Sequence, residues 1–151
     1  MLAVIVLSLS PFVAVATFSY EKEVAKEPHR ELAIEVTRLW REAFGLPLRI
    51  VSGSQAYGTG MTFYSPDAPS TFIELRYELS PWVSAQRINR EGLLVACLES
   101  DRICSESALR FSALETCRFK LTLARTFLEM HASPSTFEIF MIPPSNLSCP
   151  K

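Results

Sequence analysis

The chain has 151 residues, about the length of one folded domain, and its 48% hydrophobic content excludes an intrinsically disordered protein. Its 15 Lys and Arg residues are balanced by 16 Asp and Glu residues, which leaves a net charge of −1. A balanced charge provides little excess of cations to displace counterions, so we expect no nucleic-acid partner. No charged residue occurs between Met1 and Tyr20. The composition therefore predicts an apolar leader followed by a water-soluble body.

The apolar leader covers residues 1–20. As a helix it would be about 30 Å long, which matches the hydrocarbon core of a bilayer, and Tyr20 stands where interfacial aromatic residues are found. We therefore predict a transmembrane helix in contact with the lipid bilayer. A cleaved signal peptide is an alternative, because Ala14-Val15-Ala16 is typical of a cleavage site, although no basic residue precedes the apolar run. A buried core helix is a third interpretation, unusual for a helix without a polar face.

The body is divided into a charged juxtamembrane linker (21–29), a soluble domain (30–144) and a C-terminal tail (145–151). After Pro28 the sequence predicts an amphipathic helix that ends before Gly45 and Pro47. Its apolar residues recur at helical spacing along one face: Leu32, Val36, Leu39, Trp40 and Ala43.

The rest of the domain alternates between predicted strands and helices. The predicted elements are a strand over 48–52, a strand over 71–75, a short helix between Ser84 and Gly92, a strand over 93–98, a weak helix over 105–113, and strands over 117–123 and 136–142. Because 93–98 is apolar on both faces, we expect it at the centre of the sheet. The order predicts a small mixed-sheet α/β sandwich with early parallel strands and a final antiparallel pair at the edge.

A glycine-rich segment follows the first predicted strand, at the place where open α/β sheets bind ligands. It is not a P-loop, because Met61 follows Gly60 where a lysine is required. We predict that Ser52 to Asp67 forms a loop, either a plain turn or a surface that binds a ligand or partner. Its candidate contact residues are Gln55, Tyr57, Tyr64 and Asp67. We expect Tyr57 to be exposed, and Phe63 and Tyr64 to pack beneath the loop more readily than to face a partner.

The four cysteines do not have the spacing of a zinc site, and we predict no metal and no cofactor. Cys97 and Cys104 flank a short acidic turn, so they form either a disulfide in an exported domain or two buried thiols. Cys117 and Cys149 either stay unpaired or join each other. The sequence contains no strong catalytic motif.

Several short blocks resemble the C-terminal soluble portion of bacterial family 39 glycosyltransferases, membrane enzymes related to the dolichyl-phosphate-mannose protein mannosyltransferases. The likeness covers about residues 30–144. The blocks are Leu48 to Gly53, Phe63 to Ser70, Ser80-Pro81-Trp82, Arg90 to Val95, Leu121 to Arg125 with Phe127-Leu128, and the apolar strand before Pro143-Pro144.

The resemblance implies an inner-membrane protein whose soluble part faces the periplasm. It implies transfer of a sugar from a polyprenyl phosphate, with membrane-embedded transferase helices, a glycan or the lipid-linked sugar as partners. The catalytic acid of the family lies in an early loop that no residue here matches. We therefore expect this chain alone to transfer no sugar and to have a structural or acceptor-recognition role. An exported small binding protein with a cleaved signal peptide is the alternative.

Overall fold

The computed structural model describes residue 13 and residues 27–111, 116–127 and 130–150. Four α-helices lie in the described part of residues 27–150: α1 (His29–Phe44), α2 (Gln55–Tyr64), α3 (Ala85–Glu91) and α4 (Arg102–Phe111). Except for Val13, the predicted transmembrane helix lies outside the described residues, and so does the linker up to residue 26. Among the described residues, no helix combines the length and hydrophobicity that a membrane crossing requires.

The described strands form a five-stranded sheet and a separate two-stranded hairpin. In chain order the strands are β1 (Ile50–Gly53), β2 (Ser70–Thr71), β3 (Leu93–Leu98), β4 (Cys117–Leu123), β5 (Thr126–Phe127), β6 (Met130–His131) and β7 (Ser135–Ile142). The large sheet has the order β2-β1-β3-β7-β4, and β5 pairs with β6.

The large sheet is mixed, which confirms the predicted α/β class. Strand β1 runs parallel to both β2 and β3, with Val51 opposite Leu94, and β7 runs antiparallel to both β3 and β4. The last two long strands, β4 and β7, form the predicted antiparallel pair at the edge of the sheet, with β4 outermost and β7 also paired with β3. Buried residues on both faces of β7 explain its interior position.

The sheet separates two apolar cores, so the domain has three layers. Helices α1 and α2 cover one face, where alternate β3 residues Leu94 and Ala96 point. Helices α3 and α4 cover the other face, over Leu93, Val95 and Cys97. Burial of β3 residues on both faces follows from the apolar run at 93–98 and confirms that prediction.

Helix α1 forms as its periodicity predicts. It buries Leu32, Ala33, Val36 and Trp40 against the sheet, and it ends at Gly45, which adopts the left-handed conformation (φ 66°). The Gly45 N–H donates to the Arg41 carbonyl at 2.8 Å, which satisfies one of the carbonyls left open at the helix end. Helix α3 also matches its prediction, because the Ser84 hydroxyl caps it by accepting from the Arg87 N–H at 3.1 Å.

The predicted strand over 71–75 is wrong beyond its first residue. Strand β2 ends at Thr71, and two 3₁₀ turns follow at Ile73–Leu75 and Tyr77–Leu79. Glu74 (φ 51°) and Leu75 (φ 56°) are both left-handed, a conformation that costs a non-glycine residue about 1 kcal/mol or more. Apolar content at 71–75 predicted a strand, but Leu75 is buried by a turn instead.

Both cysteine pairs are joined. The Cα atoms of Cys97 and Cys104 are 5.6 Å apart, and so are those of Cys117 and Cys149. The first disulfide ties the end of β3 to the first turn of α4. The second ties the tail to edge strand β4, so the tail is covalently attached to the sheet. Disulfides persist in oxidising compartments and are rare in the cytosol.

We expect the Cys97–Cys104 disulfide to be intact in protein isolated from an oxidising compartment. Mass spectrometry of the unreduced chain, after tryptic cleavage at Arg102 between the two cysteines, should detect one peptide pair linked through these sulfurs. Alkylation of both thiols without prior reduction would contradict this prediction.

Candidate functional site

A cleft of about 580 Å³ lies beyond the carboxyl ends of parallel strands β1 and β3. Three segments far apart in the sequence line it. They are the end of β1 (Ser52–Ser54), the turn after β2 (Glu74–Arg76), and α4 with the residue before it (Asp101, Ile103, Cys104, Ser107, Arg110 and Phe111).

The chain connections account for the position of the cleft. Helix α2, which follows β1, packs on one face of the sheet, whereas α4, which follows β3, packs on the other. The two connections therefore diverge between neighbouring parallel strands and leave a crevice beyond their carboxyl ends. In open α/β sheets this is where ligands bind.

The end of β1 approaches β3 so closely that only glycine fits there. A Cβ atom on Gly53 would lie 2.3 Å from the Ala96 carbonyl oxygen. Beside it, the Ser54 N–H donates to that same carbonyl, and the Ser54 hydroxyl accepts from the Leu98 N–H at 3.2 Å. These contacts hold the floor of the cleft rigidly against the central strand.

The turn after β2 supplies one wall of the cleft. The left-handed pair at Glu74 and Leu75 is held by burial of Leu75 and by the Ile73 N–H, which donates to the Ser80 hydroxyl at 2.8 Å. The Arg76 N–H closes the turn on the Ile73 carbonyl at 2.9 Å. Strained backbone of this kind is concentrated at functional sites, where surrounding structure must hold it in place.

Helix α4 supplies the opposite wall. The Asp101 carboxylate accepts from the Cys104 N–H at 3.1 Å at the start of the helix, and the Cys97–Cys104 disulfide anchors the same turn to β3. At the other end, the Phe111 ring lies 5.6 Å from that of Phe72, which backs this wall with aromatic surface. The disulfide therefore fixes the start of this wall, and the Phe111–Phe72 contact fixes its end.

The cleft contains two guanidinium groups with unused donors. Arg76 lies 3.8 Å from the carboxylates of Glu74 and Glu78, which is beyond hydrogen-bonding distance. Arg110 has no carboxylate partner among the described residues. Hydroxyls of Ser54 and Ser107 and the carboxylate of Asp101 complete the polar lining. The carboxylate of Glu74 also lines the cleft, so its polar lining combines two guanidinium groups, two carboxylates and serine hydroxyls.

The predicted loop from Ser52 to Asp67 is largely a helix, so that prediction is wrong. Helix α2 spans Gln55–Tyr64 despite two internal glycines, because Tyr57 and Met61, one turn apart, are both buried against the sheet. Burial of this apolar pair offsets the low helix propensity of glycine. Gln55 and Tyr64 are at opposite ends of the helix, about 14 Å apart at 1.5 Å per residue.

The predicted exposures of the three aromatic residues are also wrong. Tyr57 is only 4% exposed and packs edge-on against Phe137, whereas Phe63 is 78% exposed and Tyr64 is 43% exposed. Helical spacing explains the reversal, because Tyr57 shares the inner face with Met61 while Phe63 and Tyr64 fall on the outer face. Tyr57, Tyr64 and Asp67 do not line the cleft, and the side chain of Gln55, the fourth predicted contact residue, lies outside what the structure describes.

Asp67 does not line the cleft and instead joins two segments of the fold. Its side chain is 4% exposed and accepts from the Arg41 guanidinium and from the Leu48 N–H at 2.8 Å. It thereby ties the end of α1 to the residues before β1. Hydrogen bonds from Arg41, with a further contribution from Leu48, hold the pKa of the Asp67 carboxyl below its ordinary value.

We expect Asp67→Asn to lower the free energy of unfolding by about 2 kcal/mol at pH 7, because it weakens charge-assisted hydrogen bonds. The pKa of Asp67 is lower in the folded state, so its contribution is full above the unfolded value of about 4 and is lost as the pH falls through the folded value. The difference from the wild type should therefore shrink below about pH 4 in urea titrations. A constant difference down to pH 2 would contradict this assignment.

The sequence predicts only part of the lining of the cleft. The expectation of a ligand site after the first strand includes Ser52, Gly53 and Ser54, which do line it. The same rule applied to β3 would have indicated Asp101 and Cys104. Arg76 and Arg110 have no local signal. In the described part of the chain, no three His, Cys, Asp or Glu side chains are grouped as metal ligands.

Comparison with protein-family models, curated proteins and solved structures finds no match to this chain.

Proposed function

We propose that this chain is the membrane-anchored, extracytoplasmic C-terminal domain of a polyprenyl-phosphate-sugar-dependent glycosyltransferase, and that its cleft recognises the acceptor. The cleft is the observation that carries the proposal. It has a rigid floor, two fixed walls and many hydrogen-bonding groups, among them the guanidinium groups of Arg76 and Arg110.

The blocks that resemble the glycosyltransferases support this proposal through their positions. Leu48 to Gly53 builds β1 and the floor of the cleft, and Phe63 to Ser70 leads from α2 into β2. Arg90 to Val95 enters central strand β3. Two of these blocks therefore contribute strands β1 and β3, and the third leads into β2, next to the cleft.

The two disulfides support an extracytoplasmic location, because such bonds form and persist in oxidising compartments. Anchoring is proposed from residues 1–20, which are free of charged side chains and long enough to cross a bilayer. Carbonate extraction should leave the chain in the membrane fraction. A soluble chain beginning at Thr17 would favour the cleaved signal peptide.

An exported binding protein is the second candidate. The observation that favours it is the cleft itself, whose described lining residues all fall between Ser52 and Phe111, within the body of the chain. Such a protein would bind its ligand without membrane-embedded transferase helices. The mature N-terminus distinguishes it from the anchored domain.

The acceptor-recognition proposal is tested by filling the cleft. In a transferase assembled from this chain and its membrane helices, Ser107→Trp should reduce sugar transfer at least about tenfold, because an indole would occupy the space between the walls. Phe63→Ala, on the outer face of α2, is the matched control and should leave transfer unchanged. Unchanged transfer with Ser107→Trp in a folded protein would overturn the proposal, as would turnover by this chain alone.

A further inference from the structure

We infer that the cleft binds an anionic group, a phosphate or a carboxylate, between Arg76 and Arg110. This inference rests on the proposed binding role of the cleft and adds the chemical class of its ligand. It follows from a contrast between these two residues and other arginines of the chain.

Five other arginines already donate to carboxylates. Each makes at least one N–H···O contact of 3.1 Å or less: Arg38, Arg41, Arg87, Arg90 and Arg118. The arginines of the cleft differ from these five, because the nearest acids to Arg76 are at 3.8 Å and Arg110 has no acidic partner in the described residues. Their position in a cleft distinguishes them from Arg30, Arg49 and Arg102, which also lack a carboxylate partner among the described residues. Two guanidinium groups with free donors thus line one concave site.

The carboxylates in the cleft do not prevent Arg76 and Arg110 from binding an anion. Asp101 already accepts a hydrogen bond from the start of α4. Glu74 and Arg76 are each more than half exposed, and an ion pair of this kind contributes about 1 kcal/mol or less. An incoming oxyanion that takes two parallel N–H donors from a guanidinium forms a stronger contact than Glu74 makes at 3.8 Å.

The remaining lining suits the neutral part of such a ligand. Hydroxyls of Ser54 and Ser107 can bond polar substituents, while Leu75, Ile103 and Phe111 provide apolar surface. The volume of about 580 Å³ is ample for a sugar that carries one phosphate or carboxylate. A soluble sugar phosphate and a lipid headgroup present the same anionic oxygens to such a site.

The test is calorimetric titration of the full 151-residue chain with inorganic phosphate, glucose 1-phosphate, glucuronate and uncharged glucose. We expect saturable binding of the anions and at least about tenfold weaker binding of glucose. Arg76→Gln and Arg110→Gln should each weaken anion binding about tenfold, whereas Glu74→Gln should tighten it by removing a competing carboxylate. Arg49→Gln is the control, because Arg49 is exposed at the amino end of β1, away from the cleft.

Equal affinity for glucose and glucose 1-phosphate would overturn the inference, and so would the absence of anion binding or an equal loss with Arg49→Gln. Thermal melting checks that each variant is folded. These results are separate from the transfer assay, in which unchanged activity of Ser107→Trp overturns the proposed function itself.

The source of the anion is distinguished in nanodiscs of phosphatidylcholine with or without phosphatidic acid. Weaker apparent binding of glucose 1-phosphate in the presence of phosphatidic acid supports the inference and indicates a lipid headgroup. Unchanged binding supports it and indicates a soluble phosphate.

Discussion

We expect Tyr57→Ala to lower the free energy of unfolding by about 3 to 4 kcal/mol, because it removes a buried ring from the core between α2 and the sheet. The Tyr57 ring lies 4.8 Å from that of Phe137 and 4.6 Å from that of His29. Its hydroxyl interacts with the side chains of Glu27 and Ser135, both of which affect the pKa of Tyr57. Urea denaturation followed by circular dichroism would measure the loss.

Phe63→Ala is the control, because Phe63 belongs to the same helix but is largely exposed. This substitution should change stability by no more than about 0.5 kcal/mol. Similar effects of the two substitutions would contradict the burial assigned to α2. They would restore the original expectation of an exposed loop at Tyr57.

Tyr57→Phe separates the ring from the hydroxyl. Burial, reinforced by the nearby Glu27 carboxylate, raises the pKa of Tyr57 to about 12, so the phenol stays protonated and can donate to Glu27 at neutral pH. Loss of that donor should cost about 1 kcal/mol, well below the cost of losing the ring. The larger share of the Tyr57 contribution is therefore packing.

We expect Gly53→Ala to destabilise the domain by about 3 kcal/mol, since the added methyl group would overlap the Ala96 carbonyl. That oxygen belongs to the backbone of the central strand, so the contact cannot be relieved by rotating a side chain. Separation of β1 from β3 would also disturb the floor of the cleft. Urea denaturation measures the stability, and a titration with glucose 1-phosphate tests whether binding falls in the folded fraction.

Gly58→Ala is the matched control within the same segment. A Cβ atom there would meet its nearest neighbours at 3.5 Å, which is an ordinary contact. Because Gly58 lies inside α2, alanine should stabilise the helix by about 0.5 to 1 kcal/mol. Destabilisation by both substitutions would show that the segment tolerates no added volume, contrary to this interpretation.

The sequence by itself predicts the elements that have strong periodicity. Helix α1 follows from apolar residues at helical spacing, and β3 follows from an apolar run too short for a helix. Ser84 indicates the start of α3 because its capping role is local. In each case the interactions that form the element lie within it, or its apolar pattern indicates which of its side chains are buried.

Tertiary structure alone decided the nature of α2 and the composition of the cleft. Glycines at 58 and 60 predict a loop locally. Burial of Tyr57 and Met61 in the core with α1 and the sheet makes a helix favourable instead. The free energy of this burial depends on elements outside the segment, so the local sequence does not reveal it. Likewise, Arg76 and Arg110 are 34 residues apart, and each has an ordinary local sequence. They share a site because the turn after β2 and helix α4 both border the crevice beyond the parallel strands, a consequence of how the whole chain is connected.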